Sequence, residues 1–556
     1  MTERIFIGVA WPYANGPLHL GHIAGAYLPA DIFARYHRLK GDQVLMVSGS
    51  DAHGTPITLR AQREGVSPEE VVHRYHQQFL DCWQSLGISW DLFTSTETVN
   101  HKETTHHIFL KLLDKGYIYK DKMSLPFCPQ CQRFLPDRYV EGTCPHCHYL
   151  NARGDQCDEC GRTLNPWELI DLRCGICGAT PTFRDSEHFF LRLTALADSL
   201  SPWVREQGHW RENVRHFTLG LLEEGLKDRA ITRDITWGVP LPLPDYPDKR
   251  IYVWFEAVIG YLSASKEWAR LQGDEDKWRE FWREPTRAYY FIGKDNIPFH
   301  TIIWPAMLIG YDGLLLPYDV PANEFLTLEG RQLSTSRNWA VWLPDYLARY
   351  HPDPLRYLLS INMPETGDTD FSWREFVRRN NDELVATYGN LVHRVLTFLQ
   401  RHFGGAVPAG DKEDDSSQTL VARCQNTLEA MDASLSRCRF REALRSAMAL
   451  AQETNRYLDE KSPWKTVSRD REAAGAALYG ALTAIQCLKQ VLYPFLPFSS
   501  IQLHQMLGYQ TSLEAEGWHF SPVPSGQKLP PPAPLFLKLD EKVVEEETKR
   551  LAQISG

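Results

Sequence analysis

The chain lacks an uninterrupted apolar run long enough for a membrane, lacks an internal repeat and lacks an excess of positive charge. Its most apolar late stretch, Ala473 to Phe498, is broken by Lys489, Pro494 and Pro497, so it reads as a buried bundle helix and not a span. The opening residues Met1-Thr2-Glu3-Arg4-Ile5-Phe6-Ile7 show no basic segment leading into an apolar run and a small-residue cleavage site. No secretory signal is therefore expected, and the expected location is cytoplasmic, with no membrane partner. Lysine and arginine number 60 against 70 aspartates and glutamates, for a formal net charge of −10. The global field thus does not announce a polyanion, and any nucleic-acid contact must use a local face. With 43% hydrophobic and 23% charged residues, disorder and fibrous repeats are excluded as well.

What is present begins with length: 556 residues imply several domains, each with its own core. Of twelve cysteines, eight form four C-x-x-C pairs, Cys128/Cys131, Cys144/Cys147, Cys157/Cys160 and Cys174/Cys177. In a large chain without an export signal this pattern reads as metal ligation before disulfides. Eight thiols suffice for two closed tetrahedral zinc sites, so one or two structural Zn²⁺ are expected; a closed thiolate set leaves no position for catalysis. Spacing alone leaves the connectivity open. His146 and His148 read as bystanders, and Cys82, Cys424, Cys438 and Cys487 as buried thiols in helical patterns.

Residues 4–10, RIFIGVA, read as a buried strand entering the loop Trp11 to Pro17. A helix is expected from about His19 through Tyr36, then a strand at Val44 to Val47, which makes a βαβ unit of a parallel α/β sheet. Such signals resume only at Ile251-Tyr252-Val253-Trp254 and Ala288 to Gly293, so 117–228 reads as an insertion between two halves of one sheet domain. From about Trp373 the pattern is helical, with Phe440, Leu444 and Met448 on one stripe and Ser462-Pro463 opening a helix by N-cap and N1 chemistry. Residues 408–417 read as a solvated loop.

His19 and His22 stand three apart at the start of a helix, on one face, beside a terminus that favours anions. Two imidazoles there can donate to phosphate oxygens and stabilise charge developing at phosphorus. The phrase AWPYANGPLHLGH, followed by Asp31 and by Ser50-Asp51-Ala52-His53-Gly54-Thr55-Pro56, resembles the HIGH-signature region of class I aminoacyl-tRNA synthetases, and specifically that of the methionyl-tRNA synthetase family.

The resemblance runs over essentially the whole chain. It implies a Rossmann-like catalytic domain with a zinc-binding insertion and an all-α anticodon-binding bundle. It also implies activation of L-methionine with ATP and Mg²⁺ to methionyl-adenylate, then transfer to initiator and elongator tRNA(Met). In this numbering it implies 1–116 as the first catalytic half, 117–228 as the connective insertion and 229–320 as the second half. Residues 321–386 form the KMSKS-like loop and stem-contact region, 387–534 the helical domain and 535–556 a charged tail. The zinc pairing it implies is nested: Cys144, Cys147, Cys157 and Cys160 on one ion, Cys128, Cys131, Cys174 and Cys177 on the other. A thioether has no charge and no donor, so its pocket must select by shape and aromatic contact while a carboxylate holds the ammonium. By resemblance Asp51 holds the ammonium, and Tyr13, Trp254, Ala257, Tyr261, Phe299 and His300 line the side-chain pocket. Val258 stands where proline is expected. Gly293 and Asp295 contact the nucleoside, Arg233 closes the site, and Asn390, Arg394 and Trp464 read the anticodon.

One segment departs from the family. The loop that normally carries two phosphate-binding lysines reads Gly330-Arg331-Gln332-Leu333-Ser334-Thr335-Ser336-Arg337-Asn338, with neither lysine. Gln332 can hydrogen-bond a phosphate but cannot neutralise it; Arg331 is the expected substitute, with Arg337 a second candidate. Two other readings stay open on sequence alone: a paralogue that binds methionine and ATP without charging tRNA, and a plain nucleic-acid-binding module built on the knuckles. The lack of a further C-terminal domain points to a monomer.

Overall fold

The computed structural model describes residues 2–136, 139–154, 157, 159–160, 164, 166–335, 338–410 and 415–554. Strand β1 (Arg4–Val9) is apolar without alternation, and Ile5, Phe6, Ile7 and Val9 have no exposed surface, as a strand covered on both faces requires. Helix α1 follows as Leu20–His22, a π turn Ile23–Tyr27 and Leu28–Leu39. Pro29 lacks the N–H that would continue the α ladder, and the Leu28 N–H reaches back to Ile23 instead. β2 (Gln43–Ser50) and β3 (Leu92–Ser95) come next, then helix α2 (Val99–Asp114).

The chain then leaves the sheet. A long antiparallel hairpin of β4 (Ile118–Cys128) and β5 (Thr182–Leu191) carries the cysteine-rich segment at its far end. After helix α3 (Val253–Leu271) the chain returns as β6 (Arg287–Gly293) and β7 (Ala322–Asn323). The sheet order is β7-β6-β1-β2-β3, all parallel, with Ile7 opposite both Tyr289 and Met46. The order reverses direction between β1 and β6, and in open α/β sheets the crevice beyond the carboxyl ends of such a strand pair is where ligands sit.

Helix α4 (Pro352–Ile361) leads to the helical half: α5 (Asn390–Phe403), α6 (Asp415–Leu435), α7 (Phe440–Lys461) and α8 (Arg471–Leu492). A buried ion pair ties this half to α1. Arg356 places Nη2 2.7 Å from Asp31 Oδ2 and donates to the carbonyls of Pro494 and Phe495, while Arg35 meets Asp31 at 3.0 Å. Burial opposes ionisation of Asp31, but the two guanidiniums and two bonds from Ser89 outweigh it and hold the carboxyl down at about 2.

Five local readings change. Of Ile251 to Trp254, only Arg250–Ile251 is a strand, and Val253 already begins α3; that helix is apolar nearly all round, so its first turn imitates a strand. Ser462 precedes Pro463 at the helix start but does not cap it: at φ 43° its hydroxyl donates back to the Asp459 carbonyl. The expected loop at 408–417 gives way to α6 at Asp415; Asp411 to Asp414 lie outside the described residues. Cys438 is buried, but in a turn at φ 54° and not in a helix. Within the charged tail, Lys542–Ile554 forms helix α9, whose Glu547 is 3% exposed and accepts from Arg349 and Tyr350.

Candidate active site and metal centres

His19 is the cap of α1 and its Nδ1 accepts the Gly21 N–H at 3.1 Å; His22 Nδ1 accepts the His19 N–H at 3.1 Å. The rings stack at 3.7 Å with 20° between planes. Burial pushes both histidines down, His22 to about 4 and His19 further under the influence of its neighbour. With Nδ1 accepting, each neutral ring carries its proton on Nε2. The pair thus presents two N–H donors beside the helix's positive end.

The segment at 331–335 docks over this turn. Leu20 N donates to the Val341 carbonyl and Leu343 N to Leu18. A Cβ on Gly21 would stand 2.8 Å from a Leu333 methyl, so that position admits glycine. Arg331 and Gln332 form an exposed strand pair with Leu328 and Thr327, and the Arg331 guanidinium lies 4.1 Å over the Trp339 ring. Ser334 exchanges backbone bonds with Trp339, and the Thr335 carbonyl accepts from Asn338 N. Ser336 and Arg337 lie outside the described residues. At the end of neighbouring β6, Gly293 begins the turn that holds Asp295 at the exposed rim.

The aromatic set is contiguous. Trp254 stacks on Phe299 at 4.1 Å and meets the Tyr13 edge at 6.1 Å; Tyr261 donates to His300 Nε2 at 2.7 Å. His300 Nδ1 donates to the Asn296 carbonyl, and burial pulls this histidine down to about 4. Its polar atoms are therefore satisfied without charge, as a thioether's surroundings require. Ala257 and Tyr261 are buried on the same helix, one and two turns beyond Trp254. Asp51, 3% exposed, pairs through its backbone with Tyr13. An open cleft is lined by Tyr13, Trp254, Arg233, Tyr252 and His53. Arg233 lies 3.7 Å over the Tyr252 ring and donates to the Ala230 and Thr232 carbonyls.

Behind Asp51 the structure buries a charged cluster that the sequence reading missed: His53, Glu256, His101 and Glu97. The available signal was Glu256, an acid inside the otherwise apolar phrase YVWFEAVIGY.

In the insertion the eight sulfurs gather into two groups, Cys128, Cys131, Cys174 and Cys177, and Cys144, Cys147, Cys157 and Cys160; within each group they lie within 4.8 Å of one another. Separations of 3.4 Å (Cys128–Cys177), 3.9 Å (Cys131–Cys174) and 3.5 Å (Cys147–Cys157) exceed a disulfide bond of about 2.05 Å. They match the edge, about 3.8 Å, of a tetrahedron with Zn–S near 2.3 Å. Backbone N–H groups of Cys131 and His146 point at Cys128 and Cys144 Sγ, which favours thiolates.

In the helical half Arg394 lies 4.8 Å over the Trp464 ring and donates to Asn455, while Asn390 is exposed one turn earlier on α5.

A family model described as tRNA synthetases class I (M) matches residues 5–396, and one described as the anticodon binding domain of methionyl tRNA ligase matches 407–555. The chain is 62% identical over 551 residues to a methionine–tRNA ligase of Dehalococcoides mccartyi, covering 99% of this chain and all of that one. It is 54% identical over 579 residues to that of Thermomicrobium roseum, covering 99% of each. Its fold is similar to that of Mycobacterium tuberculosis methionyl-tRNA synthetase in complex with methionyl-adenylate, with a TM-score of 0.80 and 25% identity over 96% of this chain and 100% of that one. A parallel sheet with a stacked histidine pair at its switch point, a cysteine-knuckle insertion, a helical bundle and matches across nearly every residue agree: the chain belongs to the methionyl-tRNA synthetase family of class I synthetases.

Proposed function

We infer that this protein is a methionine–tRNA ligase: it activates L-methionine with MgATP to methionyl-adenylate, releasing pyrophosphate, and transfers the amino acid to initiator and elongator tRNA(Met). The observation that carries the reading is a pair of neutral imidazoles with outward Nε2–H donors next to an uncharged aromatic pocket that holds one buried carboxylate. In this assignment His19 and His22 donate to the triphosphate and to the charge that develops as the methionine carboxylate attacks the α-phosphorus. Asp51 holds the ammonium. Tyr13, Trp254, Ala257, Tyr261, Phe299 and His300 enclose the thioether, Arg233 closes over it, and Gly293 and Asp295 take the nucleoside. Ser334, Thr335 and Ser336 offer hydroxyls from the loop, and Gln332 an amide. Asn390, Arg394 and Trp464 read the anticodon, with Trp464 stacking on a base.

The two thiol sets, Cys128, Cys131, Cys174 and Cys177 with Cys144, Cys147, Cys157 and Cys160, are the ligands for structural zinc, which holds the insertion closed and leaves no open coordination position. No helix among the described residues is long and apolar enough to cross a membrane; we place the enzyme in the cytoplasm, as a monomer, with the domain division given above. The relatives favour the charging enzyme over a paralogue that only binds methionine and ATP.

Methionine-dependent exchange of labelled pyrophosphate into ATP, followed by charging of both tRNAs, tests the reading; no exchange overturns it, and exchange without charging would mean another acceptor. Arg331 supplies the positive charge that the loop's missing lysines would have given. Arg331→Ala should slow exchange by roughly ten- to a hundredfold, the cost of a lost charge-assisted contact of about 1.5–3 kcal/mol; unchanged exchange removes Arg331 from the site.

A further inference from the structure

The floor of the cleft holds more charge than a thioether pocket needs. His53 is 2% exposed and Glu256 fully buried. Both nitrogens of His53 meet carboxylates: Nδ1 lies 2.8 Å from Glu256 Oε1, and Nε2 lies 2.7 Å from Glu97 Oε2. A ring that serves two ionised carboxylates donates from both nitrogens, which makes it an imidazolium. Five elements face it. Asp51 comes from the end of β2, Glu97 and the Thr96 hydroxyl from the turn after β3, and Glu256 from α3. The Trp237 ring covers one side, and His101 and Lys102 on α2 brace Glu256 and Glu97 from behind. The backbone N–H of His53 donates to Asp51 Oδ1 at 3.2 Å.

We propose that His53 is a positioning residue for amino-acid capture: its cation, clamped between Glu256 and Glu97, keeps the neighbouring Asp51 ionised and oriented for the incoming ammonium. The proposal rests on the assignment of Asp51 as the ammonium's partner. The charge balance around Asp51 supports it: burial and the Glu256 charge push its carboxyl up, and the His53 charge draws it back down. The same two carboxylates raise His53 itself, against its burial, to about 9. Without the imidazolium, Asp51 would hold its proton to higher pH and meet an ammonium as a neutral acid.

The test is pyrophosphate exchange by the full-length enzyme as a function of pH. His53→Asn keeps a donor toward Glu256 but removes the charge. Glu97→Gln, at a side chain 31% exposed, weakens the clamp at a position that tolerates change. For His53→Asn, the acid limb of kcat/KM for methionine should move up by about one unit, and KM for methionine should rise roughly tenfold at neutral pH. KM for ATP and kcat at saturating methionine should hold. Glu97→Gln should move the limb the same way by less. An unmoved limb in both variants, or KM for methionine and ATP rising together without a pH shift, overturns the proposal. Asp51→Asn separates the two levels. If it abolishes methionine affinity while His53→Asn leaves the limb in place, only the role of His53 fails. If it leaves methionine affinity intact, the Asp51 assignment fails and the proposal with it.

Discussion

Between Cys128 and Cys177 the described residues bury only two small clusters, five residues each, and two residues of each cluster are cysteines. In the helical half, α8 alone buries most of its length, from Ala474 to Leu492. A segment with so little apolar surface cannot offset its own chain entropy, so the sulfur sets must supply what packing does not. The bundle has the opposite balance: Leu, Ala and Ile at helical spacing exclude water, and polar devices such as the Arg356–Asp31 pair fix how the bundle meets α1. Stability thus comes from ligation in one region and from burial in the other, and each should fail by its own route.

The largest expected effect follows from stripping metal. Structural zinc contributes on the order of 10–16 kcal/mol of apparent binding free energy in small knuckles, so a strong chelator should erase hydrogen-exchange protection in residues 128–177 and spare α6 to α8. Equal loss in both regions would break the contrast. Next is Asp31→Asn, which strands a buried guanidinium and should lower stability to denaturant by about 3–5 kcal/mol. The pH dependence has a definite sign. Because the folded carboxyl is depressed to about 2, its contribution is complete above the ordinary carboxylate value and is lost as pH falls from roughly 4 toward 2. Asp31→Asn should flatten that acid limb in a chemical-denaturation series. Leu482→Ala, at a site 1% exposed in α8, should cost about 2–5 kcal/mol and leave metal content untouched; zinc lost along with it would show that the regions are not separable. The smallest effect is Trp464→Ala, which removes a stacking platform worth roughly 1–3 kcal/mol per base. It should raise KM for tRNA in charging and leave pyrophosphate exchange unchanged.

Much of this was legible in residue order. The apolar run at Ile5 to Val9, the H-x-x-H start of α1 and the four C-x-x-C pairs are local patterns, written within a few positions by strand, helix-terminus and ligand geometry. Readings that leaned on one residue type fared worse. Ser462 has the residue type of a cap but not its backbone, and the first turn of α3 carries the β-branched and aromatic residues of a strand. The cluster around His53 was invisible because its members come from β2, the turn after β3, α2 and α3, up to 203 positions apart.

Sequence by itself determined the layout: a parallel α/β half interrupted by thiol pairs, a helical half, and the histidine turn between strand and helix. Each of these is written by periodicity or spacing over a few turns of chain, where covalent geometry leaves little freedom. Only the tertiary structure decided which thiols share a centre, that the loop with Arg331 lies over Gly21, and that an imidazolium stands between two carboxylates behind Asp51. Those arrangements depend on distances between segments remote in sequence, and only packing, which closes the intervening loops, sets such distances.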